Sequence, residues 1–283
     1  MTTEHTFTWE QAVQSLQRQP ESQALVQACF YDDPLIDAAR RYTASTEWIA
    51  VRRLIGGPTG TAGAPQTALD VGAGRGISSF ALASDGWRVT ALEPDASHVV
   101  GAGAIRQLAA DAGLQIEVTQ EWGERLPFDD ASFDLVHCRQ VLHHARDLRQ
   151  LCAEIGRVLR PGGRFIATRE HVVSRTADVP AFQAAHPLHR LYGGENAFML
   201  REYLEAIAAA GINTSQVLNP KQSDINLYPE TQANIKRRWA RKLLLPTPAL
   251  IPDALLAYAG SRSQVPGRLY TFVGRKKAAP ART

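Results

Sequence analysis

Asp70 stands two residues ahead of the first glycine in Gly72-Ala73-Gly74-Arg75-Gly76, and Glu93-Pro94-Asp95 follows roughly twenty residues later. Glycines at that spacing let the backbone approach a ligand where a Cβ would stop it. The helix-like run from Ile77 to Ser84 then offers unpaired N–H groups and a positive dipole end. A carboxylate at Asp70 sits badly beside a pyrophosphate but well beside an ammonium or a sulfonium. A carboxylate at Glu93 can accept both hydroxyls of a ribose. The third glycine of a dinucleotide fingerprint is replaced by Ile77, which argues against a nicotinamide-dependent oxidoreductase.

Further titratable groups fall where strands end. Arg139-Gln140 closes one apolar run, and Val141-Leu142-His143-His144 opens the next segment. Neighbours on a helix diverge by about 100°, so at most one of those two histidines is expected to face a site. His143 lies nearer the strand end and is the preferred base, with His171 and Arg139 as the other catalytic candidates. His186 and His189 have metal-compatible spacing but no ordered acid nearby, so no metal site is expected. His137, inside a strand, reads as a satisfied core residue.

These groups need a scaffold that brings strand ends to one edge. From Pro65 onward, strands alternate with helices: Ala68–Val71, Arg88–Leu92, Leu114–Thr119, Phe133–Cys138 and Arg164–Thr168, with helices over Ile77–Ser84 and Val141–Leu159. Leu200–Ala210 reads as a further helix, and Ile212–Leu218 and Arg268–Gly274 as the last strands. Ahead of them Thr8-Trp9-Glu10-Gln11 reads as a capping box, Glu21–Tyr31 as a second helix, and Asp33-Pro34 as the N-cap and first turn of a third helix ending near Ile55. Residues 1–60 thus form a helical arm, with Thr59–Pro65 a flexible linker. The arm has two readings, padding for the sheet and a lid over the site. Residues 61–283 form the main domain, with insertions near 172–198 and 219–267.

Four motifs in order resemble the class I S-adenosylmethionine-dependent methyltransferases, in the branch (methyltransferase type 11) that includes the ubiquinone and menaquinone C-methyltransferases. They are the glycine turn, Glu93, Leu126-Pro127-Phe128 leading to Phe133-Asp134-Leu135-Val136, and Leu159-Arg160-Pro161-Gly162-Gly163. The resemblance covers about Ala68 to Thr168. It implies an α/β fold with a Rossmann-like, doubly wound, seven-stranded sheet whose last strand is antiparallel. It also implies S-adenosylmethionine as cofactor and S-adenosylhomocysteine as product. The branch commonly carries an Asp-Ala pair before Leu-Pro-Phe, where the acid meets the adenine amino group. Trp122-Gly123 occupies those positions here, so Trp122 is expected to cover the adenine, Gly123 to offer its N–H, and Glu121 to replace the acid. Cofactor contacts are therefore expected from Asp70, Gly72, Ala73, Gly74, Glu93, Pro94, Glu121, Trp122, Gly123, Arg139 and Gln140.

Composition narrows the acceptor. A net charge of +3 over 283 residues is too small to argue for nucleic acid, and the late basic clusters at Lys236-Arg237-Arg238 and Arg275-Lys276-Lys277 read as a solvated face and a tail. The Asp/Asn-Pro-Pro-aromatic motif of base-amine methyltransferases is missing after the fourth strand, where Cys138-Arg139-Gln140-Val141 stands, and no acidic triad of a metal-dependent catechol enzyme is found. A small-molecule or glycan-like methyl acceptor is expected, by in-line transfer that needs a base only if the acceptor must lose a proton. A cofactor-binding protein without catalysis is the alternative. Three unclustered cysteines, no signal-peptide pattern at Met1-Thr-Thr-Glu-His and no membrane-length apolar run give a cytoplasmic expectation.

Overall fold

Strands rich in apolar residues on both faces need cover on both faces, and the chain supplies it by alternating strands with helices. The structure, a computed structural model, describes residues 7–58 and 66–278; the expected linker at 59–65 lies outside them. The arm comprises α1 (Trp9–Arg18), α2 (Gln23–Ala28), α3 (Leu35–Thr43) and α4 (Thr46–Ile55). The sheet domain then runs β1 (Thr67–Val71), α5 (Ile77–Ser84), β2 (Arg88–Leu92), α6 (Ala102–Ala112), β3 (Ile116–Thr119), β4 (Phe133–Arg139), α7 (Leu148–Val158) and β5 (Leu159–Val173). It continues with α8 (Val179–Ala185), α9 (Pro187–Tyr192), β6 (Phe198–Met199), α10 (Leu200–Ala209), β7 (Ile212–Leu218), α11 (Asp224–Leu227), α12 (Gln232–Lys242), α13 (Asp253–Ser261) and β8 (Arg268–Lys276).

The sheet order is β3-β2-β1-β4-β5-β8-β7, with β8 antiparallel to both neighbours. This is the expected doubly wound sheet plus one short strand, β6, which pairs with Val172 and Val173 at the end of β5. Strand order reverses between β1 and β4, and open α/β sheets bind ligands at the carboxyl edge of such a switch point. Leu69, Val71, Val136, Cys138 and Phe165 pack under Leu151 and Ile155 of α7. Ala68, Leu135 and Ile166 turn to the other face, against Tyr42, Trp48 and Val51 of the arm and Phe80 of α5. Among the described residues no helix is long and apolar enough to cross a membrane.

Several boundaries differ from the sequence reading, each for a local reason. The capping box at Thr8 forms as expected, with Thr8 Oγ1 accepting from Gln11 N–H and Gln11 Oε1 from Thr8 N–H. The second helix is shorter than Glu21–Tyr31, opening as a 3-10 turn at Pro20–Ser22. The long third helix is two helices, because Ser45 caps a new one by accepting from Trp48 N–H at 3.1 Å. Asp33 is not its N-cap: the helix starts at Leu35 with Pro34 in the cap position, while Asp33 pairs with Arg75. The helix expected from Val141 starts at Leu148, capped by Asp147, which accepts from Gln150 N–H at 3.0 Å. Val141 and His143 N–H donate instead to Glu170, each at 3.0 Å, and that pull leaves a 3-10 turn at Leu142–His144. β5 runs five residues past Thr168, through a register shift opposite β8 at Arg169, whose φ is +60°. Arg275 and Lys276 belong to β8 and are not tail, and Lys276 Nζ donates to the carbonyl of Ala210.

Candidate active site

A cavity of about 660 Å³ opens where β1, β2 and β4 end, within the size range of small-molecule sites. The glycine turn forms one wall. Gly72 and Gly74 have φ of +61° and +55°, the left-handed region in which a Cβ is strained. A Cβ on Gly72 would also lie 2.7 Å from Val141 Cγ2. One on Gly74 would meet the Trp9 ring at 3.6 Å, in the space a ligand would use. Ala73 and Pro94 line the same wall.

Glu93 closes the turn from β2. Its carboxylate accepts from Gly74 N–H at 2.7 Å and Asp95 N–H at 3.1 Å, and it also borders the cavity. Only 5% of the residue is exposed, and burial raises its pKa to about 7. Asp70 borders the cavity as well, and each of its oxygens holds one protein partner, Ser79 Oγ at 2.6 Å and His137 Nδ1 at 2.8 Å, so it also braces the turn. His137 is accordingly a core residue, with no solvent exposure.

On the opposite wall Trp122 is 54% exposed, which excludes a core role, and the Arg146 guanidinium lies 4.9 Å from its ring centroid. Gly123 lies beside it, where a Cβ would stand 2.6 Å from Leu151 Cδ1. Glu121 is not a wall residue: it accepts from Trp122 N–H, and Glu124 is the acid that borders the cavity. Gln140 also borders it, with φ of +57°.

Of the three catalytic candidates, Arg139 at the end of β4 and His143 border the cavity as expected, and His171 does not. Arg139 is bound by Glu47 of α4 through two hydrogen bonds of 2.6 and 3.1 Å. Burial disfavours its charge, but Glu47 outweighs that and raises its pKa. It is a neutralised structural cation at the cavity wall. His143 is 1% exposed, with Nδ1 2.7 Å from Glu170 Oε2 and Nε2 3.5 Å from Glu195 Oε2. Burial opposes its charge, yet the hydrogen bond to Glu170 and the nearby carboxylates of Glu170 and Glu195 lift its pKa to about 9. With a carboxylate at each nitrogen it is not a free base. His171 stands inside β5, not at its end, and is not a wall residue; its ring packs 4.6 Å from that of His143. His144 also borders the cavity, against the expectation that at most one of the two would, and its ring lies 4.2 Å from that of His143. Its Nδ1 faces the carbonyl of Gly194 at 3.0 Å.

Much of the cover comes from the arm. Trp9, Cys29, Phe30 and Tyr31 line the cavity, and α1 and α2 share a small core with Leu188 of α9. Arg75 of the glycine turn donates to the carbonyls of Phe30 and Asp32 and pairs with Asp33, so it ties the arm to the turn. Helices α3 and α4 pad the sheet. The arm's role as cover was one of its two expected readings, whereas Glu170 and Glu195 had no signature in the sequence: they come from separate segments, and neither belongs to a motif.

A protein-family model, "Methyltransferase domain", matches residues 69–167. A ubiquinone biosynthesis O-methyltransferase from Methylocella silvestris is 30% identical over 177 residues, covering 59% of this chain and 67% of that one. The chain belongs to the class I S-adenosylmethionine-dependent methyltransferases. An uncharacterised methyltransferase, YcgJ of Bacillus subtilis, is 32% identical over 106 residues, covering 35% of this chain and 38% of its own. This chain thus spans under two fifths of YcgJ, and 39% of two mycobacterial methyltransferases. Among solved structures, a geranyl diphosphate methyltransferase in complex with S-adenosylmethionine superposes with a TM-score of 0.56 at 18% identity, over 94% of this chain and 95% of that one. That likeness extends the shared fold across the arm and both insertions. The Cβ-free space over Gly74 and the buried Glu93 carboxylate beside it have the shape and chemistry that a backbone-hugging chain and a diol would need.

Proposed function

We propose that the protein transfers a methyl group from S-adenosylmethionine to a small-molecule acceptor enclosed in this cavity. The observation that carries the reading is Glu93, a buried carboxylate held against Gly74 N–H at the edge of the cavity. Its remaining lone pairs are suited to two ribose hydroxyls. Gly72 and Gly74 leave room for the methionyl chain, and Trp122 offers a face for the adenine. When bound, the cofactor supplies an electrophilic methyl on a sulfonium. The protein's own task is then alignment and exclusion of water: Trp9, Phe30 and Tyr31 roof the space, while Gln140 and His144 present polar atoms to the acceptor. A cavity of this size suits a small molecule better than a polymer.

Calorimetry with S-adenosylmethionine, S-adenosylhomocysteine, NAD and NADP tests the cofactor half. Binding of the first two alone is expected; nicotinamide binding alone would sink the reading. An acceptor screen scored by S-adenosylhomocysteine release then separates an enzyme from a protein that binds the cofactor without turning it over.

A further inference from the structure

Behind the acceptor wall, donor groups from three separate segments converge. His143 comes from the 3-10 turn after β4, His171 from β5, and Glu195 from the loop after α9. All three are buried, and one donor atom of each lies within 4.8 Å of the others. His171 Nε2 is buried without a hydrogen-bond partner, a costly state for an imidazole nitrogen, and His143 Nε2 makes no hydrogen bond and has only the Glu195 carboxylate 3.5 Å away. Their Nδ1 atoms are fixed from outside the cluster, His143 by Glu170 and His171 by the carbonyl of Gly267, each at 2.7 Å. A carbonyl only accepts, so His171 Nδ1 carries the proton and its Nε2 is a bare lone pair. Imidazoles tied at the far nitrogen to a carboxylate and a carbonyl have the outer-shell arrangement of metal-bound histidines.

Charge points the same way. Glu170 and Glu195 are both buried and flank His143. One imidazolium between them leaves a net negative charge, whereas a dication with neutral imidazoles balances both carboxylates. His186 stands in reserve: its Nδ1 is buried without a hydrogen bond, 3.8 Å from Glu195 Oε1.

We propose that His143, His171 and Glu195 bind a divalent first-row transition cation of the Zn2+ class, with Glu170 and the Gly267 carbonyl as its outer shell. Two imidazoles and one carboxylate suit such a cation, whereas Mg2+ and Ca2+ prefer all-oxygen sites. His143 and Glu195 border the cavity, so an open coordination position would face the acceptor space. The inference stands apart from the methyl-transfer reading, since metal can bind whether or not a cofactor does.

The test is a titration of the chelator-stripped full chain with Co2+, read by visible d–d absorption, followed by displacement with Zn2+. One equivalent of Co2+ is expected to develop the bands, Zn2+ to abolish them and Mg2+ to leave them intact. His143→Gln, His171→Asn and Glu195→Gln should each weaken Co2+ binding beyond the roughly 10–100-fold expected for Glu170→Gln, which removes an outer-shell partner. His98→Ala, at an exposed position outside the cluster, should change nothing. Circular dichroism and a urea melt report whether each variant is folded; Glu195→Gln keeps the shape of its side chain and serves if a histidine variant unfolds. Absence of bands in the folded parent, or bands of equal affinity in folded His143→Gln and Glu195→Gln, would overturn the proposal. Loss of S-adenosylhomocysteine binding with bands intact would count against the methyl-transfer reading alone.

Discussion

Glu93→Gln separates what this carboxylate does for the cofactor from what it does to the fold. In the free protein burial raises the Glu93 pKa from 4.5 to about 7, a difference equivalent to roughly 3 kcal/mol. The folded state therefore holds the proton more tightly than the unfolded chain. This favourable contribution is present at low pH and is lost as pH rises from 4.5 to about 7. At pH 8 glutamine removes that burial cost but leaves either Gly74 or Asp95 N–H facing an amide NH2, a loss of about 1–3 kcal/mol. The two terms nearly cancel, so the melting temperature at pH 8 should move by only a few degrees. Cofactor binding has no such compensation. Losing a charged acceptor for the ribose hydroxyls costs about 1.5–3 kcal/mol, or roughly 10–150-fold in S-adenosylhomocysteine affinity at pH 8. At pH 5.5 the parent carboxyl is largely protonated, so the gap between parent and variant should narrow. Calorimetry at both pH values, in buffers of different ionisation enthalpy, should also show a proton released on binding to the parent at the lower pH. An equal gap at pH 5.5 and 8, or affinity within twofold at pH 8, would refute the ribose contact.

Gly74→Val forces a branched side chain into the left-handed region and toward Trp9; it should destabilise by about 1–2 kcal/mol in a urea melt and abolish S-adenosylhomocysteine binding, and retained binding would move the ligand off this wall. Trp122→Ala should remove most of the change in tryptophan fluorescence on S-adenosylhomocysteine addition, leaving the contribution of Trp9; an undiminished change would take the adenine away from that wall. Arg139→Met leaves Glu47 fully buried without its bidentate partner, so chemical denaturation should show a loss of about 3–5 kcal/mol. Adding Glu47→Met should recover most of that, and a double variant no more stable than the single one would assign the loss to packing.

The sequence by itself determined the sheet and the glycine wall of the cavity. Both are local: β1, the turn at Gly72 to Gly76 and α5 are contiguous, and Glu93 ends the next strand, so composition and spacing carry their geometry. Apolar strands buried on both faces leave little choice of architecture, and the glycines must stand where φ is positive. Tertiary structure alone decided which groups are free to act. Arg139 looked available as a catalytic group, but Glu47 had already claimed it, and Asp70 at the cavity edge also carries Ser79 and His137. The segment at His143 looked helical because its apolar spacing is helical; Glu170, twenty-seven residues on, takes the amides that the helix would need. The His143, His171 and Glu195 cluster has no spacing signature, because its members lie on three segments joined only when β4 pairs with β5 and the α9 loop folds across them. Short-range chemistry is written in neighbouring residues; partnership across the sheet depends on register and packing, which no window of sequence contains.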